Sequence, residues 1–200
     1  MHEMTVEHVH EEIHLLGLDL STMFYENMGA CMVPTWRDYY LARDQTPHYA
    51  YLKKILQALQ WLRGGTRWIL KSPQHLEQLQ PIRNVFPDAT VVLTHRDPVA
   101  MVASFSTMIT YSSRLSAAKV DPRAMGHYWA DRIEDLLRAA VKDREIIPGD
   151  QSIDVLFHEF MADDVAMVRK IYALADQPLP DSSLAALRAY MDAHPSGRLG

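Results

Sequence analysis

Apolar residues recur at helical spacing from His48 to Arg63, where Leu52, Ile55, Leu56 and Leu59 fall on one face. Gly64-Gly65 ends that helix, because glycine tolerates the positive φ of a helix C-terminus. A short apolar run at residues 67–71 then predicts a first strand. Leu76, Leu79 and Ile82 predict a helix over 74–85, and Phe86-Pro87-Asp88 a turn. Residues 89–94 form a continuous β-branched run, as in a strand buried on both faces. Asp97-Pro98 pairs a capping carboxylate with proline at the first helical position and so opens the next helix, with Val99, Val102 and Ser106 as its stripe. A less ordered stretch spans about 111–121. Trp129, Ile133, Leu136, Leu137 and Ala140 predict a long amphipathic helix over 124–144. Pro148-Gly149-Asp150 is a turn, 153–157 a third strand, and 163–174 and 182–191 further helices. Before residue 48 the pattern is weaker: a His- and Glu-rich helix over about 5–16, then irregular or broken helix over 17–49. Helix and strand patterns alternate after residue 48, which predicts an α/β fold with a parallel sheet flanked by helices, in a single domain over residues 1–200.

Composition narrows the function classes. The chain has 200 residues, is 48 % apolar and carries a formal charge of −5. Such a balance supports a real core and argues against non-specific nucleic-acid binding, which needs a basic footprint. It leaves room for a small basic pocket. The single Cys31 excludes an internal disulfide and fits a reducing, cytoplasmic setting. No apolar run reaches the ~18 residues of a membrane span, and the acidic, His-bearing start does not read as a signal peptide.

Both of the first two apolar runs end in polar, reactive residues, and α/β sheets present chemistry at strand carboxyl ends. Arg96 follows the second run, and Ser104 lies about two turns into the helix that follows. A guanidinium grips phosphate in bidentate fashion, and a helix start adds free N–H groups and a favourable dipole. The pair is therefore a candidate phosphate clamp, against the plainer reading of a surface arginine and a packed serine. Lys71 at the end of the first run could neutralise charge on a transferred group, and His75 could act as a base. The plainer alternatives are a Lys–carboxylate pair and a helix-capping histidine. His95, beside Arg96, is a second candidate base or a packing residue.

His10-Glu11-Glu12-Ile13-His14 matches the H-E-x-x-H pattern of zinc hydrolases. No third ligand follows at a known spacing, and a solvated His/Glu face explains the pattern more simply.

The ordered set Trp68-Ile69-Leu70-Lys71-Ser72-Pro73-Gln74-His75, Phe86-Pro87-Asp88-Ala89 and Thr94-His95-Arg96-Asp97-Pro98 with Ser104 resembles the bacterial branch of the PAPS-dependent sulfotransferases. Tyr49-Ala50-Tyr51, Leu56-Gln57, Leu59-Gln60, Phe157-His158-Glu159-Phe160, Ile171-Tyr172 and Gly197-Arg198 extend the resemblance. It implies a P-loop-NTPase-like α/β fold and transfer of a sulfuryl group from 3′-phosphoadenosine 5′-phosphosulfate to a hydroxyl or amine, with no metal. It places Arg96, Ser104 and Arg198 at the donor's 3′-phosphate and Lys71 at the reaction centre; on its chemistry, His75 is preferred to His95 as the candidate base. The family's Gly/Arg/Ser/Thr-rich phosphosulfate loop has no counterpart in the sequence, so the chain reads as lacking a first βα unit, a fragment or a shortened gene product. That departure motivates the alternative of a non-catalytic nucleotide- or partner-binding remnant. A nucleotide kinase would need the same loop and a Walker lysine. The acceptor, a small molecule, glycan or lipid, would be met by residues 17–49 and 107–127. The Met, Tyr and Trp content of these segments fits an apolar acceptor but fits core packing better. A missing strand would leave an open sheet edge, which invites pairing with a second copy.

Overall fold

A computed structural model describes residues 10–28 and 31–193. In chain order it contains helix α1 (Ile13–Gly17), a 3₁₀ turn (Met23–Glu26), strands β1 (Asn27–Met28) and β2 (Cys31–Met32), and helices α2 (Pro34–Leu41) and α3 (Thr46–Arg63). A second 3₁₀ turn (Pro73–Glu77), α4 (Leu79–Val85), β3 (Val91–His95), α5 (Pro98–Ser113) and α6 (Pro122–Asp143) follow. Strand β4 (Ser152–Leu156) and helices α7 (Phe157–Ala162), α8 (Asp164–Leu174) and α9 (Asp181–Ala193) come last.

The chain divides into two compact units. The first comprises Met1–Ala89 and Asp97–Ile147, the second Thr90–Arg96 and Pro148–Gly200. In the first unit, α6 is the central buried element. Its Met125, Trp129 and Leu136 form one core cluster with Ile13, Met23 and Tyr40. A second cluster joins Leu16, Tyr49, Leu52, Leu56 and Ile82, so α1, α3 and α4 pack together. In the second unit, β3 and β4 pair in parallel, with Val91 opposite Ser152 and His95 opposite Leu156, and α7 and α8 pack on β4.

The α/β architecture is as the alternation of patterns predicts, and the caps act as expected. Asp97 Oδ1 accepts from the Val99 N–H at 3.0 Å, and Gly64 and Gly65 take φ of 76° and 95°; Asp121, not among the expected caps, holds the start of α6 through Arg123 and Ala124.

Several local expectations are corrected. The first helix covers only Ile13–Gly17 of the described residues. Residues 67–71 are not a strand: the Lys71 N–H goes to the Glu12 carboxylate instead of a neighbouring strand, and Ile69 is 88 % exposed. The helix expected over 74–85 splits at Gln78, whose φ and ψ are −127° and 29°. Pro81 explains the split. In a continuous helix its ring would collide with the Glu77 carbonyl and leave that carbonyl without a donor. Restarting at Leu79 puts Pro81 in the first turn of α4, where no N–H is needed.

β3 is not buried on both faces: only Leu93 is buried, and Val92 is exposed. Among the described residues its single strand partner is β4, so only one of its edges is paired. The Val99 stripe of α5 also points elsewhere than expected. Val99 is exposed, whereas Phe105 and Ile109 pack against the core and Thr110 and Ser113 are buried. The helix runs on to Ser113, into the stretch expected to be less ordered.

Candidate functional site

Ser72 opens the turn that carries His75. Its φ and ψ are extended, and its hydroxyl accepts from the Gln74 N–H at 3.4 Å, as an N-cap does. Pro73 then fixes the first position of the turn. Gln74 is wholly buried, and its Oε1 accepts from Thr22 Oγ1 and the Met23 N–H, both at 3.1 Å. The turn is thereby tied to residues 22 and 23 by a side chain that also satisfies a main-chain donor.

His75 is held at both ring nitrogens. Nδ1 lies 2.7 Å from Tyr49 Oη, and Nε2 lies 2.5 Å from Glu12 Oε1. Burial opposes ionisation of Glu12, but the hydrogen bond and charge of His75, with help from main-chain donors, outweigh it and hold the carboxyl below its usual range. Burial pushes the Tyr49 hydroxyl well above the ordinary tyrosine value, so it stays protonated. The Tyr49 hydroxyl thus meets Nδ1 on one side of the ring, and the Glu12 carboxylate meets Nε2 on the other. In this arrangement neither ring nitrogen of His75 is open to an acceptor.

Glu12 Oε2 accepts from the Lys71 N–H at 2.8 Å. Its neighbour Glu11 forms an ion pair with Lys71 Nζ. The lysine side chain is 75 % exposed, and desolvation lowers its pKa. Its main chain is fixed while its ammonium group faces solvent.

Beneath this turn lies an ionic cluster. Arg132 is completely buried. Its Nε donates to Glu26 Oε1 and Oε2 at 3.0 and 2.9 Å. Its terminal nitrogens take Glu77 in a fork, Nη1 to Oε2 at 2.8 Å and Nη2 to Oε1 at 2.6 Å. Burial works against the guanidinium, but the two carboxylates outweigh it and raise its pKa. Burial pushes Glu26 the other way, above its usual range, despite Arg132. The Tyr128 hydroxyl, 3.4 Å from Glu26 Oε2, is pushed by burial up to about 12.

The residues expected at the donor's 3′-phosphate belong to different compact units of the chain. Arg96 belongs to the second unit. It is exposed, and its guanidinium carbon lies 5.2 Å from the Phe157 ring centroid. In the same unit His95 Nε2 meets Asp154 Oδ1 at 2.7 Å, across the β3–β4 pair. Ser104 belongs to the first unit, exposed on α5. Arg198 lies outside the described residues. An apolar groove of about 810 Å³ runs between α5 and α6, lined by Val99, Val102, Ile133, Leu137 and Val141 among others. It contains none of the expected site residues.

The zinc reading fails on its geometry. Helix α1 begins at Ile13, so His10 and His14 are not one turn apart on a helix, and Glu11 and Glu12 are engaged by Lys71 and His75. Among the described residues no group of three or more His, Cys, Asp or Glu could hold a metal ion.

The Sulfotransferase family profile matches residues 2–181. The chain is a member of the Sulfotransferase family. Two crystal structures of mycobacterial sulfotransferases have the same fold. STF9 of Mycobacterium avium matches at a TM-score of 0.84 and 26 % identity, over 94 % of this chain and 48 % of its own. STF1 of Mycobacterium tuberculosis H37Rv matches at 0.85 and 27 %, over 95 % of this chain and 52 % of its own. This family member thus spans about half the length of those solved relatives. No curated protein matches the chain.

Three charged members of the site were not foreseen as such: Arg132, Glu26 and Glu77. Arg132 had a signal. It falls three residues after Trp129 and four before Leu136, on the inward stripe of α6, where a charge demands buried partners. Nothing in the sequence pairs it with Glu26 or Glu77. Glu12 was visible, but as part of a false metal motif.

Proposed function

We propose that this chain is the part of a sulfotransferase that takes up 3′-phosphoadenosine 5′-phosphosulfate and helps move its sulfuryl group to a hydroxyl or amine acceptor. The observation that carries the reading is the Sulfotransferase family match over residues 2–181. Sulfuryl transfer is an in-line displacement at a charged centre, so its catalysis consists mainly of positioning and positive charge. The acceptor oxygen or nitrogen bonds to sulfur as the bond from sulfur to the 5′-phosphate oxygen breaks, and the acceptor's proton passes to water. Lys71, on a fixed main chain with an exposed ammonium group, opposes the charge that develops on the leaving phosphate. Arg96, Ser104 and Arg198 hold the 3′-phosphate, the guanidinium by a bidentate grip. His75 acts by holding the Lys71 turn in place rather than by taking the acceptor's proton, since both its ring nitrogens are engaged. The reaction needs no metal. The acceptor is a small molecule, glycan or lipid met in the cytoplasm. No helix among the described residues is long and apolar enough to cross a membrane.

Calorimetric titration with 3′-phosphoadenosine 5′-phosphate tests the reading. Micromolar binding that Arg96→Ala abolishes supports it. Absence of binding by the folded protein refutes it. A second reading, a nucleotide-binding relative without transfer activity, draws on the absence of a phosphosulfate-loop motif from these 200 residues. It predicts binding without transfer to any acceptor.

A further inference from the structure

Two consecutive acids grip one lysine at its two ends. Glu11 pairs with Lys71 Nζ, and Glu12 accepts from the Lys71 main-chain N–H at 2.8 Å. The second oxygen of Glu12 meets His75 Nε2 at 2.5 Å. The contacts join residues 59 to 63 positions apart in the chain, so they are built by the fold and not by local sequence. Glu12 is 4 % exposed and sits beside the buried Ile13 and Leu16. A carboxylate in such a place is retained only with charged or hydrogen-bonding partners, and its partners are the two residues of the Lys71–His75 turn that the sequence marks for chemistry.

We propose that Glu12 is a positioning residue of the sulfuryl-transfer site: one carboxylate oxygen anchors the Lys71 main chain, the other holds the His75 ring, and together they set where the Lys71 cation stands. The role rests on the sulfotransferase reading above. Glu12 touches neither donor nor acceptor, and acts through Lys71. Tyr49 completes the anchor, because its buried hydroxyl occupies His75 Nδ1 and stops the ring from turning away from Glu12. Ser72, which caps the next turn, and Gln74, which ties it to residues 22 and 23, hold the segment just beyond. Lys71 is thus fixed at its backbone, with its exposed ammonium group paired to Glu11, an arrangement in which a long side chain delivers charge to one place.

The test compares wild-type protein with Glu12→Met, which keeps the length and removes the acceptor, and Glu12→Gln, which keeps a carbonyl oxygen for the Lys71 N–H. Three quantities are read: hydrogen exchange of the Lys71 amide, with the Gly64 amide as an internal control bonded to Gln60 O at 2.7 Å; affinity for 3′-phosphoadenosine 5′-phosphate; and kcat and KM for sulfuryl transfer from the phosphosulfate. Glu12→Met is expected to raise Lys71 exchange at least about tenfold while Gly64 is unchanged, and to lower kcat by about ten- to a hundredfold with little change in KM. Glu12→Gln is expected to restore both to within about threefold, because the hydrogen bond to Lys71 survives. Lys71 exchange and kcat that stay at wild-type values in Glu12→Met overturn the proposal. So does a Glu12→Gln variant as impaired as Glu12→Met, because the effect would then follow charge and not the anchor. Should Glu12→Met fail to fold, Glu12→Asp withdraws the carboxylate by one methylene. It is expected to lose Lys71 protection, and retained protection overturns the anchor. The exchange measurement needs no donor. Wild-type protein that neither binds the nucleotide nor transfers sulfuryl therefore refutes the sulfotransferase reading, and leaves the anchor to be judged on exchange alone.

Discussion

Arg132 on α6 and Glu77 at the end of the second 3₁₀ turn meet through a two-pronged contact, with N–O separations of 2.8 and 2.6 Å, the guanidinium fully buried and the carboxylate nearly so. The guanidinium holds Glu26 with its remaining nitrogen. One cation therefore serves two buried carboxylates, and removing it leaves both without their main partner.

Arg132→Met is expected to destabilise the protein by about 3–5 kcal/mol, the usual cost of stranding a buried charge. Arg132→Lys keeps the charge but loses the fork, and recovers only part of this. Urea denaturation of the two variants measures both. Replacing Arg132, Glu26 and Glu77 together by apolar residues of similar volume is expected to do less harm than Arg132→Met alone, because no charge is left behind.

Gln74→Leu is expected to cost about 1–3 kcal/mol, since the Met23 N–H loses its acceptor in a buried place. Equilibrium unfolding in urea gives the value. A cost near zero would show that the Met23 N–H finds another partner.

The pH dependence of Glu12 has a definite sign. Its carboxyl is held below the usual range in the folded protein. Its stabilising contribution is therefore complete above the ordinary carboxyl pKa near ~4.3 and is lost as the pH falls through the lower, folded value. Glu26, raised by burial, contributes in the opposite sense: its part is present below the ordinary value and is lost as the pH rises through the folded one. Glu12→Gln is thus expected to lower the melting temperature at pH 7 and to bring little change at the acid end, where wild-type Glu12 is itself protonated. Melting curves of both proteins across the acid range check this.

Arg96→Ala is expected to weaken 3′-phosphoadenosine 5′-phosphate binding by at least about tenfold, as loss of a charge-assisted double hydrogen bond does. Ser104→Ala, which removes one neutral hydroxyl, is expected to weaken it by about two- to fivefold. Calorimetry of the two variants ranks them, and the reverse order would reassign the clamp.

Glu11→Gln frees the Lys71 ammonium group from its exposed partner. Exposed ion pairs contribute at most about 1 kcal/mol, so donor affinity is expected to rise by no more than about fivefold and stability to change little. A fall in affinity would mean that Glu11 aims Lys71 rather than competing for it.

How much of this was legible in the sequence follows from the kind of signal each residue left. The α3 stripe of Leu52 and Leu56, the Asp97 cap and the Gly64-Gly65 stop are local rules acting on local residues, and they held. Residues 67–71 carry the composition of a strand, but a strand exists only where a neighbour supplies the ladder, and here the Lys71 N–H is taken by Glu12. The helix over 74–85 was read from its apolar spacing with Pro81 passed over, and that one ring decides where the helix restarts. The site residues Lys71, His75, Arg96 and Ser104 were marked by their place after apolar runs and by family resemblance. What the sequence left hidden was the supporting layer. Glu12 with Lys71, Tyr49 with His75 and Arg132 with Glu26 are separated by 59, 26 and 106 positions, and no periodicity encodes a contact of that range.

The parallel pairing of β3 with β4 sets an order on biosynthesis. Val91 finds its place opposite Ser152 only after the intervening chain has left the ribosome, and Asp97–Ile147 within that stretch belong to the other unit. At about 5–20 residues per second, the edge of β3 that β4 will cover waits for some seconds without its partner. The nascent chain can complete the helical packing of α5 on α6 in that interval, whereas the second unit closes only once its carboxyl-terminal segment arrives. Translational pausing between residues 96 and 148 would lengthen that wait, and it is the window in which a chaperone has the most to protect.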